Sequence, residues 1–200
     1  MTSNIDNYLS QFFKGIPLKG KSVLDIGCGN GTLLCYVLRQ GAVRAVGIEP
    51  SDIQAVDKSL DIRGYRFQDY RTTDKFDVIV LHNSINHLDE AGTINLHKDA
   101  KPYIEIGLQL KQLMAEGGLL VISDVARHNF WPDVHLKNPF APTIEWHKHQ
   151  SPYLWSKVLA LGKAKITWPA PSAYPFKRLL ANRFVSYFLT SQFRLVIKDE

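Results

Sequence analysis

The 200-residue chain has only two cysteines, Cys28 and Cys35. Two neighbouring thiols with no second pair exclude a disulfide framework or a zinc cluster and fit a reducing compartment. No apolar run approaches the roughly eighteen residues needed to cross a bilayer. Met1 to Phe13 lacks the basic head and apolar stretch of a signal peptide, so the expectation is a cytoplasmic protein. Internal repeats and low-complexity segments are missing as well. So is any metal-ligand spacing such as H-E-x-x-H, and no metal is expected.

What the chain does have is enough apolar content, 45%, to pack a core. The length suits one domain spanning 1–200. Its net charge of +5 is unevenly spread. Residues 1–125 carry 13 Lys/Arg against 15 Asp/Glu, whereas residues 126–200 carry 11 against 4. All four tryptophans, Trp131, Trp146, Trp155 and Trp168, lie in the basic part. The chain thus has an acidic-to-neutral front, 1–125, and a basic, aromatic back, 126–200, whose composition suits a substrate-side half. Within the second half, residues 125–150 are rich in His, Pro, Asn and Trp without a clear period. A loop of that length in a compact domain commonly serves as a lid or binding loop.

Strand and helix patterns alternate along the first part. A short helix is expected over Ile5–Phe13, then a strand at Ser22–Ile26 and a helix at Thr32–Gln40 closed by Gly41. A second strand follows at Val43–Ile48, with Ser51 or Asp52 placed to cap a helix after it. Tyr65–Phe67 is a weaker third strand. Phe76–Leu81 reads as a strand buried on both faces. Lys101–Ala115 is an amphipathic helix with Pro102 at its start. Leu119–Ser123 is the fifth strand. A helix at Ser151–Leu161, a strand at Lys165–Trp168, a basic helix at Phe176–Leu189 and a strand at Phe193–Ile197 complete the pattern. Such alternation predicts a doubly wound α/β sheet with helices on both faces.

The sharpest signal is Val23-Leu24-Asp25-Ile26-Gly27-Cys28-Gly29-Asn30-Gly31. A buried strand runs into a turn with glycines at alternate positions, which lets a ligand lie against bare main chain. About twenty residues on, Val46-Gly47-Ile48-Glu49 ends the next strand in a carboxylate, suited to a ribose diol. A dinucleotide site wants G-x-G-x-x-G, but position 32 is Thr. Thr32 thus argues against an NAD(P)-dependent reductase, which stands as one alternative beside a non-catalytic binding module.

These segments resemble class I S-adenosylmethionine-dependent methyltransferases. VLDIGCGNG is similar to the family's first motif and GIEPS, which contains Pro50, to its second. Gln68-Asp69-Tyr70 falls where the family places an acid near the adenine. FDVIVLHNSINHL and EGGLLVISD are similar to its fourth and fifth strands. The resemblance implies a Rossmann-like seven-stranded sheet in the order 3-2-1-4-5-7-6, with the last strand antiparallel. It implies S-adenosyl-L-methionine as cofactor and S-adenosyl-L-homocysteine as product. It places Gly27, Cys28 and Gly29 against the methionine portion, Asp25 at its ammonium, Glu49 at the ribose and Asp69 and Tyr70 at the adenine. Leu81 would contribute main chain, and His82 and Asn83 would border the methyl. Asn86 stands where many relatives carry Glu, a departure from the pattern.

Methyl transfer from a sulfonium needs alignment in a dry pocket and, for a hydroxyl acceptor, a general base. His87, His147, His149 and Asp124 are the candidate catalytic residues. No Asn-Pro-Pro-Tyr follows the fourth strand, which disfavours nucleic-acid adenine methylation, and no nucleic-acid partner is expected. Basic residues and tryptophans in the second half favour O-methylation of a small-molecule, glycan or lipid-precursor acceptor, anionic ones included. The basic helix at 176–189 offers a peripheral membrane contact as a less favoured reading.

Overall fold

In the computed structural model, residues 4–169 and 180–199 are described. Seven strands form one sheet: β1 (Ser22–Ile26), β2 (Arg44–Ile48), β3 (Asp61–Arg63), β4 (Phe76–His82), β5 (Met114–Val125), β6 (Lys163–Thr167) and β7 (Gln192–Lys198). Their order is β3-β2-β1-β4-β5-β7-β6. The neighbours from β3 to β5 pair in parallel, and β7 runs antiparallel to both β5 and β6. This is the expected topology.

The apolar runs explain the layering. Val23 and Leu24 of β1, Val46 of β2 and Ile79–Leu81 of β4 are sealed from solvent on both faces, as a central parallel strand requires. One face is covered by α1 (Asn4–Phe12) and α2 (Thr32–Arg39), through Leu9, Phe12, Phe13, Leu34 and Val37. The other face is covered by α4 (Lys101–Leu113) and α6 (Pro152–Leu159), through Tyr103, Ile106, Leu110, Trp155 and Leu159. Tyr103, Ile106, Leu110 and Leu113 recur at helical spacing and form the buried stripe of α4. Ser151 caps α6, its hydroxyl accepting from the Leu154 N–H at 3.2 Å. Short helices α3 (Glu90–Asn95), α5 (Phe130–Asp133) and α7 (Arg183–Phe188) lie at the edges of this frame.

Three expectations are corrected. No helix follows β2 over residues 51–60. Its apolar residues Ile53 and Val56 stay exposed, so there is no stripe to bury. Asp57 instead turns the chain by accepting from the Ser59 N–H and hydroxyl. The third strand is Asp61–Arg63, four residues earlier than Tyr65–Phe67. Phe67 instead opens a single 3₁₀ turn. In the last helical region, residues 176–179, with Lys177 and Arg178, lie outside the described residues. The described part holds only the six-residue α7, capped by the Asn182 side chain accepting from the Val185 N–H.

Residues 125–150 are more ordered than an aperiodic sequence suggests. Asn129 is fully buried. Its amide donates to the Tyr187 and Leu189 carbonyls and to Ser191 Oγ, while its carbonyl accepts from Asn138 Nδ2. Trp131 Nε1 donates to the Phe188 carbonyl. The segment is thereby stitched to the turn after α7. Trp155 lies in the core, Trp168 packs edge-on against Phe193, and Trp131 packs against Phe130 and Phe140.

Candidate functional site

The carboxyl ends of β1, β2 and β4 open onto a cavity of about 990 Å³. In a doubly wound sheet this rim is where crossovers diverge and ligands enter. Gly27, Glu49, Pro50, Ser51, Tyr65, Gln68, Asp69, Asn83, Ser84 and His87 contribute to its wall.

The floor is the glycine turn after β1. The Gly27 and Cys28 N–H groups both donate to the Ile48 carbonyl, at 2.8 and 3.1 Å, which ties the turn to the end of β2. Gly27 has φ +75°, and a Cβ there would sit 2.5 Å from Ser84 Cβ. Only glycine lets Ser84 close over the turn and donate to the Ile26 carbonyl at 2.6 Å. Gly31 serves packing: a Cβ there would lie 2.6 Å from Leu60 Cδ1. The tight third glycine thus admits the β3 side rather than a phosphate.

Charge gathers on this floor. Asp25 is 2% exposed, and its Oδ1 is sealed from solvent without a hydrogen-bond partner. Burial, then the nearby Glu49 charge, push its carboxyl up to about 7. The Glu49 carboxylate accepts from the Gly29 N–H and the Ser51 N–H, both at 3.0 Å. An acceptor sealed without a donor costs about 1–3 kcal/mol, a cost that a cation or other donor reaching Asp25 would relieve. The ammonium and ribose diol of S-adenosylmethionine fit this set: a donor for Asp25, hydroxyls for Glu49, and bare main chain at Gly27 between them.

The other expected residues fall in different places. Asp69 and Pro50 are on the wall and exposed. Tyr70 is not: its ring is buried in the core and its hydroxyl accepts from Arg63 at 3.2 Å. Cys28 buries its sulfur against Gly47, where a Cβ would meet Sγ at 2.4 Å, and burial pushes its thiol up to about 12. Only its main chain can face a ligand. Leu81 is fully buried. Asn83 is on the wall with φ +54°, its N–H donating to the Ser123 carbonyl at 2.7 Å. His82 turns instead toward α1, where its Nε2 meets Tyr8 Oη at 2.5 Å. Burial holds the His82 ring below the usual imidazole range. Tyr65, Ser51, Gln68 and Ser84 line the cavity without having been anticipated. Tyr65 was legible only once β3 was known to end at Arg63, which puts it on the rim.

Of the candidate catalytic groups, His87 is on the wall, exposed, with Nδ1 2.9 Å from Glu90 Oε1. His147 is exposed and lends only its carbonyl, to Arg127. His149 and Asp124 come together: Nδ1 lies 3.1 Å from Oδ1, and both residues are buried. Asn86 Nδ2 stands 3.5 Å from the same ring nitrogen.

Comparison with known proteins agrees with this geometry. A family model described as a methyltransferase domain matches residues 2–156. The ribosomal protein L11 methyltransferase of Enterobacter sp. (strain 638) is 33% identical over 115 residues, 58% of this chain and 37% of that protein. The chain thus spans little more than a third of the length of that relative. Among solved structures, a SAM-dependent methyltransferase from Archaeoglobus fulgidus superposes with a TM-score of 0.66 at 15% identity, covering 98% of this chain and 93% of the other. A plantazolicin methyltransferase in complex with SAH does so at 0.56 and 18% identity, covering 98% and 88%. At these identities the structural likeness speaks for the fold alone. With the family model matched over well more than half of its length, and with the sheet order and glycine floor just described, the chain belongs to the class I S-adenosylmethionine-dependent methyltransferases.

Proposed function

We propose that this protein methylates an oxygen of a small-molecule or glycan-like acceptor, with the cofactor held over the glycine floor. The observation that carries the cofactor placement is the sealed Asp25 carboxyl beneath Gly27, with Glu49 at the adjoining strand end. In this reading Asp25 meets the ammonium, directly or through a water, and Glu49 turns its carboxylate to the ribose. Asp69, with Gln68 beside it, borders the adenine. Tyr65, rather than Tyr70, offers a ring on that side. Asn83 and Ser84 close the wall near the reacting end.

S-adenosylmethionine supplies a methyl carbon bound to a good, neutral leaving group. The chain's own task is therefore orientation and exclusion of water. Residues 126–200 take the acceptor side in this reading. In this reading Trp146 offers a ring face to the acceptor, and the excess of basic residues attracts an anionic one.

Methylation of a protein amine is the second reading, favoured by the 33%-identical L11 methyltransferase. Methyl-labelled S-adenosylmethionine separates the two. Label should pass to hydroxyl-bearing sugars or phenols. Label on ribosomal protein L11 alone would replace the oxygen reading with the amine one. No binding of S-adenosylhomocysteine by calorimetry would remove both.

A further inference from the structure

Of the four histidines near the rim, only one is built like a proton acceptor. His82 has its Nε2 taken by Tyr8 Oη at 2.5 Å. The His87 side chain is 59% exposed and its partner Glu90 48%, so water competes for both. His147 makes no side-chain hydrogen bond among the described residues. His149 is different. Its side chain is 11% exposed and Asp124's 4%, and the carboxylate oxygen stands 3.1 Å from Nδ1. A carboxylate can only accept, and at 3.1 Å it is a nearer partner of Nδ1 than the Asn86 amide at 3.5 Å, so it places the ring hydrogen on Nδ1 and leaves the lone pair on Nε2. Nε2 has no hydrogen-bond partner among the described residues.

Hydrogen bonds fix the segment that carries this pair. Gln150, next in sequence and 1% exposed, donates to the Thr93 carbonyl at 2.7 Å. Thr93 Oγ1 in turn donates to the Asn86 carbonyl at 3.1 Å. Asn86, whose Nδ2 stands 3.5 Å from the His149 ring, lies between Ser84 and His87 in sequence, and those two are on the cavity wall, so the pair backs onto the loop that carries that wall. The other titratable groups near the pair are His82 at the end of β4 and Tyr103 of α4, which both feel the Asp124 charge, and Tyr8 of α1 bonded to His82. Asp124 Oδ2 and Asn86 Oδ1 are sealed without partners. A buried cluster bearing two unsatisfied acceptors costs stability, which a merely structural histidine brace would not require.

We propose that His149, oriented by Asp124, takes the proton from the acceptor hydroxyl during methyl transfer, and that the acceptor is therefore a group that arrives protonated. This rests on the methyl-transfer reading above. As the hydroxyl oxygen forms its bond to the methyl carbon, the carbon–sulfur bond breaks and its electron pair stays on sulfur. The hydroxyl proton passes to His149 Nε2, and Asp124 stabilises the imidazolium that results. Asp124 acts through His149 and is a positioning residue.

The test uses the full chain saturated with S-adenosylhomocysteine, with ¹⁵N-labelled histidine. The His149 resonances should report hydrogen on Nδ1 and a lone pair on Nε2, and Asp124→Asn should redistribute the tautomers. In parallel, label transfer to catechol, p-nitrophenol and N-acetylglucosamine is measured. Turnover of whichever probe is used should fall about 100-fold or more in His149→Gln, with S-adenosylhomocysteine affinity unchanged. The acidic limb of the pH–rate profile should vanish in that variant, and added imidazole should restore part of the rate to His149→Ala. Hydrogen on Nε2 in the wild type overturns the proposal. So does unchanged turnover and pH profile in His149→Gln, or a wild type that binds S-adenosylhomocysteine yet methylates none of the hydroxyl probes. Failure to bind S-adenosylhomocysteine at all instead removes the cofactor reading on which the proposal stands.

Discussion

Replacing Asp25 with Asn should make the free protein more stable above neutral pH and a poorer binder of its cofactor. The carboxyl sits at 3.8 in the unfolded chain and about 7 in the folded one, chiefly because it is buried and secondarily because Glu49 is near. An acid raised on folding is favoured in the folded state while protonated. Its contribution is therefore fully present below about 3.8 and is lost as pH rises toward and through 7. At about 1.4 kcal/mol per pH unit, that loss amounts to about 4 kcal/mol. Asparagine keeps the shape and does not ionise. The stability difference between Asp25→Asn and the wild type, from urea unfolding without ligand, should grow in the variant's favour by up to that amount between pH 4 and pH 8. Affinity for S-adenosylhomocysteine should move the other way, weakened by about 1.5–3 kcal/mol, the range for a charged hydrogen bond. A ligand ammonium would also draw the proton off Asp25. Calorimetry at pH 6 in buffers of different ionisation enthalpy should thus show net proton release on binding, absent in the variant. Parallel pH–stability curves for the two proteins, or binding with no proton release, would refute the reasoning that this carboxyl is held for a cation.

Glu49→Ala removes two carboxylate hydrogen bonds to the floor, from Gly29 and Ser51, and the proposed ribose contact. Its affinity for S-adenosylhomocysteine should fall by about 1.5–3 kcal/mol; an unchanged titration would take Glu49 out of that role. Gly27→Ala forces a Cβ to 2.5 Å from Ser84 Cβ at φ +75°, so thermal unfolding should show a loss of about 2–3 kcal/mol from strain and overpacking. Gly29→Ala, at φ +53° with open space around it, should lose only about 1–2 kcal/mol. Equal losses would mean that Ser84 yields. Asp77, on β4, is opposed by burial, but its bonds from Lys21 and Ser22 prevail and hold it at about 2. A depressed carboxyl contributes above 3.8 and loses that contribution as pH falls toward 2. Asp77→Asn should therefore unfold in acid with a shallower pH dependence than the wild type.

Local signals sufficed for much of this molecule. Ser22–Ile26 is the observed β1, because a short apolar run bounded by glycine has few alternatives to a buried strand. The glycines at 27, 29 and 31 and the carboxylates at 25 and 49 stand at set distances along two adjacent strands, so register alone brings them together. Other features depended on neighbours distant in the chain. Tyr70 resembles its motif position, yet the Arg63 guanidinium and the core claim its side chain. His82 closes β4, one residue past the expected Leu81, but Tyr8, 74 residues earlier, turns it toward α1. The pairing of Asp124 with His149, 25 residues apart, has no sequence spacing to betray it. Periodicity reports which face of an element is apolar, and spacing reports what a turn can hold. Which polar side chains meet across separate loops is decided only when the sheet, its two helical layers and the stitched 125–150 segment close together, since burial then leaves each such group one partner or none.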